Sequence, residues 1–395
     1  MNPTEVKPPV VILCLTATGL SVARSLGYRG VEIYGVDHNR WQIGHFSKYV
    51  HVSSTLSCKN NKEKLLENLI DYAKKKNIQP VLFAAGDDEV QFVSEYAGIL
   101  RDHFIMPRSY RKNFAGLMLN KISFYKTCME HGAEIPTTFF PQTLNDLERI
   151  SHKISYPAII KPAFGHEWRE RLNGKKVIEV SSSHELLSKF RRYCPNGEEV
   201  VIQEFVPGKE ENIAIFGGYF DKNYEPLSIL TARKIRQYPP MFGSGSLCES
   251  HWDPEIAEMS IDLVQKMKYH GICGTEYKWD PQDGKWKLME INFRPTLWFS
   301  ITRAAGVDIV YDAYLDLIGQ RVKNKIRTQR NGVFWQYLAR DAVSLLHYLK
   351  RREISWTALR QFADPRKEYA IVSFKDWGVN LMYPFYILSE VFKHY

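Results

Sequence analysis

The stretch GTEYKWDPQDGKWKLMEINFR, residues 274–294, has the pattern of a β-hairpin with acidic residues in both strands. Two runs rich in aromatic and aliphatic residues flank the sequence PQDG, and Pro, Asp and Gly are favoured in turns. Counting outward from that turn places Glu276 opposite residues 289 to 290. We therefore predict that the carboxylates of Glu276 and Glu290 converge across the hairpin.

The second strand of this hairpin adds an amide to the two carboxylates. Glu290 and Asn292 are two positions apart, so their side chains leave the same face, and Arg294 continues the row if the strand persists. Opposed carboxylates repel by up to about 1 kcal/mol unless a cation neutralises them. Oxygen ligands of this kind suit Mg²⁺ or Mn²⁺ held jointly with phosphates rather than zinc. Glu276, Glu290 and Asn292 are the predicted metal ligands, and a solvated sheet face is the alternative.

Two lysines are candidates for binding phosphate. Lys161 ends the apolar strand YPAIIKP, which places its ammonium group at a strand edge, and Lys121 starts the helix ISFYKTCMEHG. A lysine at such an edge is a natural phosphate partner as a point charge. A lone strand lysine such as Lys161 is more often simply exposed, and the alternative for Lys121 is a solvated helix residue. Only the neighbouring motifs favour phosphate binding.

The run VVIQEFVPGKEE, residues 200–211, joins an apolar strand to a Pro-Gly turn and then to acids. Its backbone would suit the edge of an adenine ring, with an apolar side chain covering the ring and an acid accepting hydrogen bonds from ribose. The predicted nucleotide-binding residues here are Gln203, Glu204, Phe205, Val206, Glu210 and Glu211. Taken alone, the run is an ordinary strand and turn.

The run TARKIRQYPPMFGSGS, residues 231–246, places three cations beside a segment rich in Gly and Ser. We expect a flexible loop there, with Arg233, Lys234 and Arg236 suited to an acidic substrate or a transferring phosphate. A mobile basic surface loop without a ligand is the alternative.

The first 115 or so residues have the pattern of a small α/β domain. A strand beginning at Val10, a helix and the strand VEIYGVD predict a right-handed parallel crossover, and NIQPVLFAAGDDE adds another strand. A dinucleotide site would need GxGxxG, but only Gly19 stands in the first turn, although Asp37 follows the second strand. We therefore expect a Rossmann-like domain that supports its neighbour.

The remaining chain divides into two further regions. Residues 116–320 mix antiparallel strands with helices, whereas residues 321–395 are aromatic-rich and helical in pattern, as in FWQYLARDAVSLLHYLKRR. We expect a separate helical extension that either packs against the other domains or, through Arg351, Arg352 and its aromatic residues, contacts a membrane surface.

Bulk properties fit a folded cytoplasmic protein. The net charge of +9 is compatible with anionic ligands but does not select among them. The six cysteines form no CxxC pair, which argues against a zinc module and a disulfide framework. The sequence contains no signature of a nucleic-acid-binding module, and no apolar run approaches the roughly 18 to 20 residues that cross a bilayer.

Together these motifs resemble the ATP-grasp family over about residues 10–320. The matching order is Lys121, Lys161, QEFVPGKE, Glu276, and the run EINFR, which fits the family's ExNxR signature. The resemblance implies a two-lobed ATP-grasp domain at 116–320 behind a Rossmann-like domain at 1–115, with ATP and Mg²⁺ or Mn²⁺ as cofactors. Within the family, the chain looks like carboxylate-amine ligases and D-aspartate ligases, which share features with carbamoyl phosphate synthase.

The implied reaction activates a carboxylate as an acyl phosphate and transfers it to an amine, releasing ADP and phosphate. The predicted catalytic residues are Lys161, Arg233, Lys234 and Arg294. The expected partners are ATP and small carboxylate and amine substrates, without nucleic acid, and a homo-oligomer is allowed. The alternative is a non-catalytic nucleotide-binding protein of the same fold.

The loop after Lys161 departs from the family pattern. Gly165 and Gly174 flank bulky, charged residues where the family has small ones. Charge from His166, Arg169 or Arg171 would then replace backbone amides over the phosphates.

Overall fold

The computed structural model describes residues 7–111, 113–164, 172, 177–195, 198–323, 326–350, 361–362, 364 and 367–392. Their strands form three sheets, one of them parallel and two built mainly from antiparallel pairs. The chain is therefore a mixed α/β protein, as predicted.

The first sheet is parallel, with the strand order β3-β2-β1-β4. Its strands are β1 (Val10–Leu13), β2 (Ile33–Val36), β3 (Val52–Ser54) and β4 (Val81–Ala84). Its helices are α1 (Ala17–Gly27), α2 (Lys62–Lys74) and α3 (Asp87–Glu95). β1 is buried along its whole length, as a strand covered on both faces must be. Gly19 lets α1 start close to β1, because a Cβ there would lie 1.8 Å from the carbonyl oxygen of Cys14.

Short helices lead from this domain to the second sheet, which is small and antiparallel. The helices are α4 (Ala97–Leu100), α5 (Arg108–Arg111), α6 (Phe114–Met118) and α7 (Lys121–Glu130). The strand order is β5-β8-β6-β7, and the strands are β5 (Thr138–Phe139), β6 (Ala158–Pro162), β7 (Ile178–Val180) and β8 (Val200–Glu204). Helices α8 (Leu144–Ser151) and α9 (Ser183–Tyr193) begin at capping residues Thr143 and Ser182, whose side chains accept backbone hydrogen bonds. We call this unit the small lobe.

The third sheet has seven strands in the order β13-β12-β9-β10-β11-β14-β15. The strands are β9 (Ile213–Phe220), β10 (Pro226–Tyr238), β11 (Ser244–Ser250), β12 (Gly271–Asp280), β13 (Lys285–Asn292), β14 (Phe334–Gln336) and β15 (Lys367–Tyr369). The helices of this part are α10 (Pro254–Lys266), α11 (Ser300–Ala304), α12 (Ile309–Leu317), α13 (Leu338–Lys350) and α14 (Trp377–Phe392).

The segment expected to be a flexible basic loop is instead a pair of strands. Arg233 pairs with Glu249 and Lys234 with Cys248 in the β10–β11 ladder. Gly245 allows close packing in this ladder, since a Cβ on it would lie 2.7 Å from the Sγ of Cys248. The Gly-Ser composition therefore reflects close packing within a sheet rather than mobility, and the expectation of a loop was wrong.

The expectation of a separate helical extension at 321–395 was also wrong. β14 adds to the edge of β11, and β15 adds to β14, so this segment completes the large sheet. The helical pattern of FWQYLARD fails because Trp335 and Gln336 are fully buried in that sheet, and the helix starts only at Leu338. Burial along the edge of β11 overrides the local periodicity.

The hydrophobic cores divide the molecule differently from the sheets. Two large cores each combine residues of the first domain with residues of the large sheet. A third core draws all its buried residues from the stretch between Leu147 and Ile202, which lies in the small lobe. Among the described residues, no helix is long and apolar enough to cross a bilayer.

Candidate functional site

The β12–β13 hairpin brings the predicted acidic residues face to face. Glu276 pairs with Glu290, and Gly274 pairs with Asn292. A β-bulge makes this possible: Tyr277 pairs with Leu288, so that Met289 is an extra residue on β13. The predicted pairing of the two glutamates across the hairpin is thus confirmed, and metal binding there stays a prediction.

Lys161 points from the small lobe towards these acids. Its Nζ lies 2.6 Å from the Oε1 of Gln203 and 3.1 Å from the hydroxyl of Tyr125. Burial lowers the pKa of Lys161 to about 8, while the nearby carboxylates of Glu290 and Glu276 act to raise it. The ammonium group is therefore poorly solvated and close to both carboxylates, which suits it to a phosphate.

Lys121 starts α7 beside the end of β6. Its backbone N–H donates to the carbonyl of Ala163 (2.8 Å), two residues beyond Lys161. Burial raises the pKa of Tyr125; the charge of Lys121 lowers it, and that of Glu290 raises it. The hydroxyl of Tyr125 also donates to the carbonyl of the bulged Met289 (2.9 Å). Tyr125 thus connects the two predicted phosphate lysines with the acidic hairpin.

The cations of β10 separate, because neighbouring residues of a strand face opposite sides. Lys234 is buried, and its Nζ lies 2.7 Å from the Oε2 of Glu276. Arg233 instead forms an ion pair with Glu249 (2.7 Å) on the other face. The structure therefore places Lys234 beside Glu276 and Arg233 on the other face of the sheet, and a catalytic role for either residue stays a prediction.

Arg294 links the hairpin to the first domain. Its Nε donates to the Oδ1 of Asp87 at the start of α3 (2.6 Å). Burial acts to lower the pKa of Arg294, but the carboxylate of Asp87 and, more weakly, that of Glu290 act to raise it. The net effect is a raised pKa, so the guanidinium stays charged. Arg294 lies near enough to Glu290 for that carboxylate to raise its pKa, but β13 ends at Asn292, so the strand does not continue to Arg294 as the predicted row required.

The predicted nucleotide-binding strand is partly occupied by internal contacts. The N–H groups of Glu204 and Phe205 donate to backbone carbonyls of the small lobe, at 3.0 and 3.1 Å. The side chain of Gln203 is fully buried and holds Lys161, and the carbonyl of Val206 accepts from Lys278 (2.8 Å). Two backbone donors of this strand are thus already paired within the protein, and adenine binding by the remaining groups stays a prediction.

The two predicted ribose acids differ in their surroundings. The Oε1 of Glu210 accepts from the N–H of Met241 (3.0 Å) and from the hydroxyl of Tyr348 on α13 (2.7 Å). Glu210 therefore ties the β10–β11 turn to the C-terminal segment, whereas Glu211 is exposed.

Lys278 is a candidate that the sequence analysis missed. Its Nζ lies 5.1 Å from the ring centroid of Phe205. Burial lowers the pKa of Lys278, which the carboxylates of Glu210 and Glu276 act to raise. Lys278 is two residues after Glu276 in β12 and so lies on the same strand face. That spacing was the available signal, as it was for Glu290 and Asn292.

The donor set is that of a cation shared with phosphates rather than of a closed metal centre. Among the described residues, no group of three or more His, Cys, Asp or Glu could hold a metal ion. Two carboxylates and one amide leave coordination positions open for phosphate oxygens, which is how Mg²⁺ is usually bound. The residues present therefore fit a nucleotide-bound Mg²⁺.

Some predicted residues fall outside the described part of the chain. In the loop after β6 these are Gly165, His166, Arg169, Arg171 and Gly174. Arg351 and Arg352, which follow α13, also lie outside the described residues.

A parallel first domain, a small antiparallel lobe carrying Lys161 and a large sheet carrying the acidic hairpin define the fold of the ATP-grasp enzymes. No protein-family model matches the chain. D-aspartate ligase of Enterococcus faecium (strain Aus0004) is 24% identical over 242 residues, which are 58% of this chain and 57% of the ligase. The chain thus spans little more than half the length of that curated relative.

Solved structures show the same fold at low sequence identity. The ADP complex of N5-carboxyaminoimidazole ribonucleotide synthetase matches with a TM-score of 0.66 and 13% identity, covering 88% of both chains. L-amino acid ligase from Bacillus licheniformis matches with a TM-score of 0.59 and 16% identity, covering 84% of this chain and 79% of that one. The predicted resemblance to the ATP-grasp family is confirmed.

Proposed function

We propose that this chain is an ATP- and Mg²⁺-dependent ligase that joins a carboxylate to an amine through an acyl phosphate. The observation that carries the proposal is the approach of Lys161, from the small lobe, to Glu276 and Glu290, which face each other in the large sheet. Two lobes thus present opposite charges to one cleft, as binding of a metal-nucleotide complex requires. Relatives named D-aspartate ligase and L-amino acid ligase support the same reaction class.

The acidic and amide side chains would bind the metal, and the lysines would bind the phosphates. Glu276, Glu290 and Asn292 would hold Mg²⁺, which when bound neutralises charge on the ATP phosphates. Lys161 and Lys121 would bind phosphate oxygens from the side of the small lobe. Lys234, which pairs with Glu276 in this structure, would turn to a phosphate once the metal neutralises that carboxylate.

The bond changes need positioning more than side-chain chemistry. An oxygen of the substrate carboxylate attacks the γ-phosphorus, and the bond from phosphorus to the bridging oxygen breaks to release ADP. The amine nitrogen then attacks the acyl carbon, phosphate leaves with the bonding electrons, and the nitrogen loses a proton. Arg294, half-buried and held by Asp87, would stabilise the negative charge that develops during these steps. Closure of the small lobe would keep water from the acyl phosphate.

The test is ADP release measured over a panel of amino acids, sugar acids and small dicarboxylates, each with a set of amines. Wild-type protein is expected to release ADP only with a productive pair. Glu290→Gln and Lys161→Met are each expected to lower turnover by about 10²-fold or more, because each removes a charge that faces the phosphates. Glu258→Gln, at an exposed position of α10, is the matched control and is expected to turn over normally.

Thermal unfolding of each variant checks that the fold is intact. Normal turnover in both site variants contradicts the proposed roles. Binding of Mg-ADP by the wild type without ADP release from any pair favours the non-catalytic alternative.

A further inference from the structure

Helix α14 exposes a row of large apolar side chains. Trp377, Leu381, Phe385 and Leu388 are 54–68% exposed and follow one another at intervals of four, four and three residues. That spacing places them on one face of the helix. Phe374, just before the helix, is fully exposed as well. Large exposed apolar patches mark interaction sites on soluble proteins.

The opposite face fixes the helix on the body of the protein. Val379, Tyr383 and Tyr386 are buried in a core shared with the first domain. Gly378 allows close contact there, because a Cβ on it would lie 2.6 Å from the carbonyl oxygen of Phe46. The apolar row is thus held in one orientation.

Ionic contacts anchor the start of the helix. Asp376 is fully buried and accepts hydrogen bonds from the Nε of Arg24 (3.0 Å), the hydroxyl of Ser47 (2.8 Å) and the N–H of Lys48 (3.0 Å). The hydroxyl of Tyr49 donates to the carbonyl of Lys375 (3.1 Å). These bonds keep Lys48 and Lys375 directly beside Trp377.

Cations border the apolar row at this end. Lys48 and Lys375 are exposed. Trp41 is exposed and stacks on Phe46, with 6.5 Å between the ring centroids, and the carbonyl oxygen of Phe46 faces Gly378 of α14. Arg40 is exposed and lies over the ring of Trp41, 5.2 Å from its centroid. Asp376, the acid nearest to Trp377 in sequence, is buried and paired, and the stretch from Trp377 to Leu388 has no charged residue. The surface therefore combines apolar side chains and tryptophans with a positively charged border.

We propose that this face of α14 binds the surface of an anionic lipid bilayer. The apolar row and Trp41 would lie at the level of the headgroups, and Lys48, Lys375 and Arg40 would contact lipid phosphates. The binding is peripheral, since no helix in the described part of the chain can span a bilayer. A second copy of the chain fits this face less well, because the stretch from Trp377 to Leu388 offers no acidic side chain to pair with the positive border.

The experiment is co-sedimentation of the full chain with vesicles of phosphatidylcholine, with or without phosphatidylglycerol. The double variant Trp377→Ser with Phe385→Ser tests the row, and Lys48→Ala with Lys375→Ala tests the border. The matched control is Leu144→Ser with Met129→Ser, which changes exposed apolar residues elsewhere. Thermal unfolding checks that all variants fold.

Wild type and control are expected to sediment with the anionic vesicles and to be released by salt. Both test variants are expected to bind at least about tenfold more weakly. The proposal is overturned if wild type stays in the supernatant with anionic vesicles, or if the control loses as much binding as the test variants. Analytical ultracentrifugation gives a third outcome: a dimer dissociated by the Trp377 and Phe385 changes, without vesicle binding, assigns the face to a second copy instead. The assay does not depend on catalysis, so it is independent of the proposed ligase activity.

Discussion

Replacing Asp341 by alanine is expected to destabilise the protein strongly. Its carboxylate is fully buried and accepts from the Nε of Arg236 (2.8 Å) and a second guanidinium nitrogen of the same residue (2.7 Å). The hydroxyl of Ser246 (3.0 Å) and the amide of Gln336 (2.7 Å) donate to it as well. One carboxylate therefore connects β10, β11 and β14 with α13.

The magnitude follows from what the substitution leaves behind. The side chain of Arg236 is only 5% exposed, so without Asp341 its charge is buried with its main counter-ion gone. Breaking a buried ion pair in this way costs about 3–5 kcal/mol of unfolding free energy. Asp262→Ala, which breaks an exposed ion pair with Lys266 on α10, is the control. It should change the free energy of unfolding by less than about 1 kcal/mol.

Urea unfolding followed by near-ultraviolet circular dichroism measures both free energies. The double change Arg236→Met with Asp341→Leu is expected to recover much of the loss, since it leaves no unpaired buried charge. If Asp341→Ala costs no more than Asp262→Ala, the buried cluster does not hold the C-terminal segment to the sheet, and the reasoning fails.

Two further predictions concern single residues. Lys161, with its pKa lowered by burial to about 8, carries its charge below that pH and loses it above, so affinity for Mg-ADP should fall about tenfold per pH unit above about pH 8. Calorimetric titration should show this fall in affinity above about pH 8 for the wild type but not for Lys161→Met. The same fall in both proteins would mean that another group causes it. Gly19→Ala is expected to lower stability by about 1–3 kcal/mol, because its Cβ would meet the carbonyl of Cys14, whereas Gly98→Ala, with open space around it, should be neutral or slightly stabilising. Thermal unfolding compares the two, and equal midpoints would contradict the close approach of α1 to β1.

The parts of the site that the sequence predicted are those encoded locally. The turn PQDG sets the register of β12 and β13, so the pairing of Glu276 with Glu290 follows from counting residues. The bulge at Met289 shifts that pairing by one residue. Counting from the turn could not predict the bulge, and so it gave either residue 289 or residue 290 as the partner of Glu276. The parallel order of the first domain follows in the same way from the alternation of strand, helix and strand.

The parts that failed depend on contacts between distant segments. Asp341 lies 105 residues after Arg236, and nothing near either residue indicates their pairing. FWQ has the local pattern of a helix start and becomes a strand only because the edge of β11 is there to pair with it. Lys234 was predicted from its charge, but its partner Glu276 and the opposite direction of Arg233 required the sheet to be known.

The separate core of the small lobe has a consequence for how the cleft responds to its solvent. Lys161 lies in that lobe, while Glu276 and Glu290 belong to the large sheet, whose cores also include the first domain. Unlike charges therefore draw the two bodies together across the cleft, in addition to the packing of Val201 of β8 in the core of the large sheet. Dissolved ions weaken such attraction over a screening length of about 8 Å at physiological ionic strength. The resting width of the cleft should accordingly increase with salt concentration. The protein would then be most open to incoming nucleotide at high salt, where it binds nucleotide least tightly.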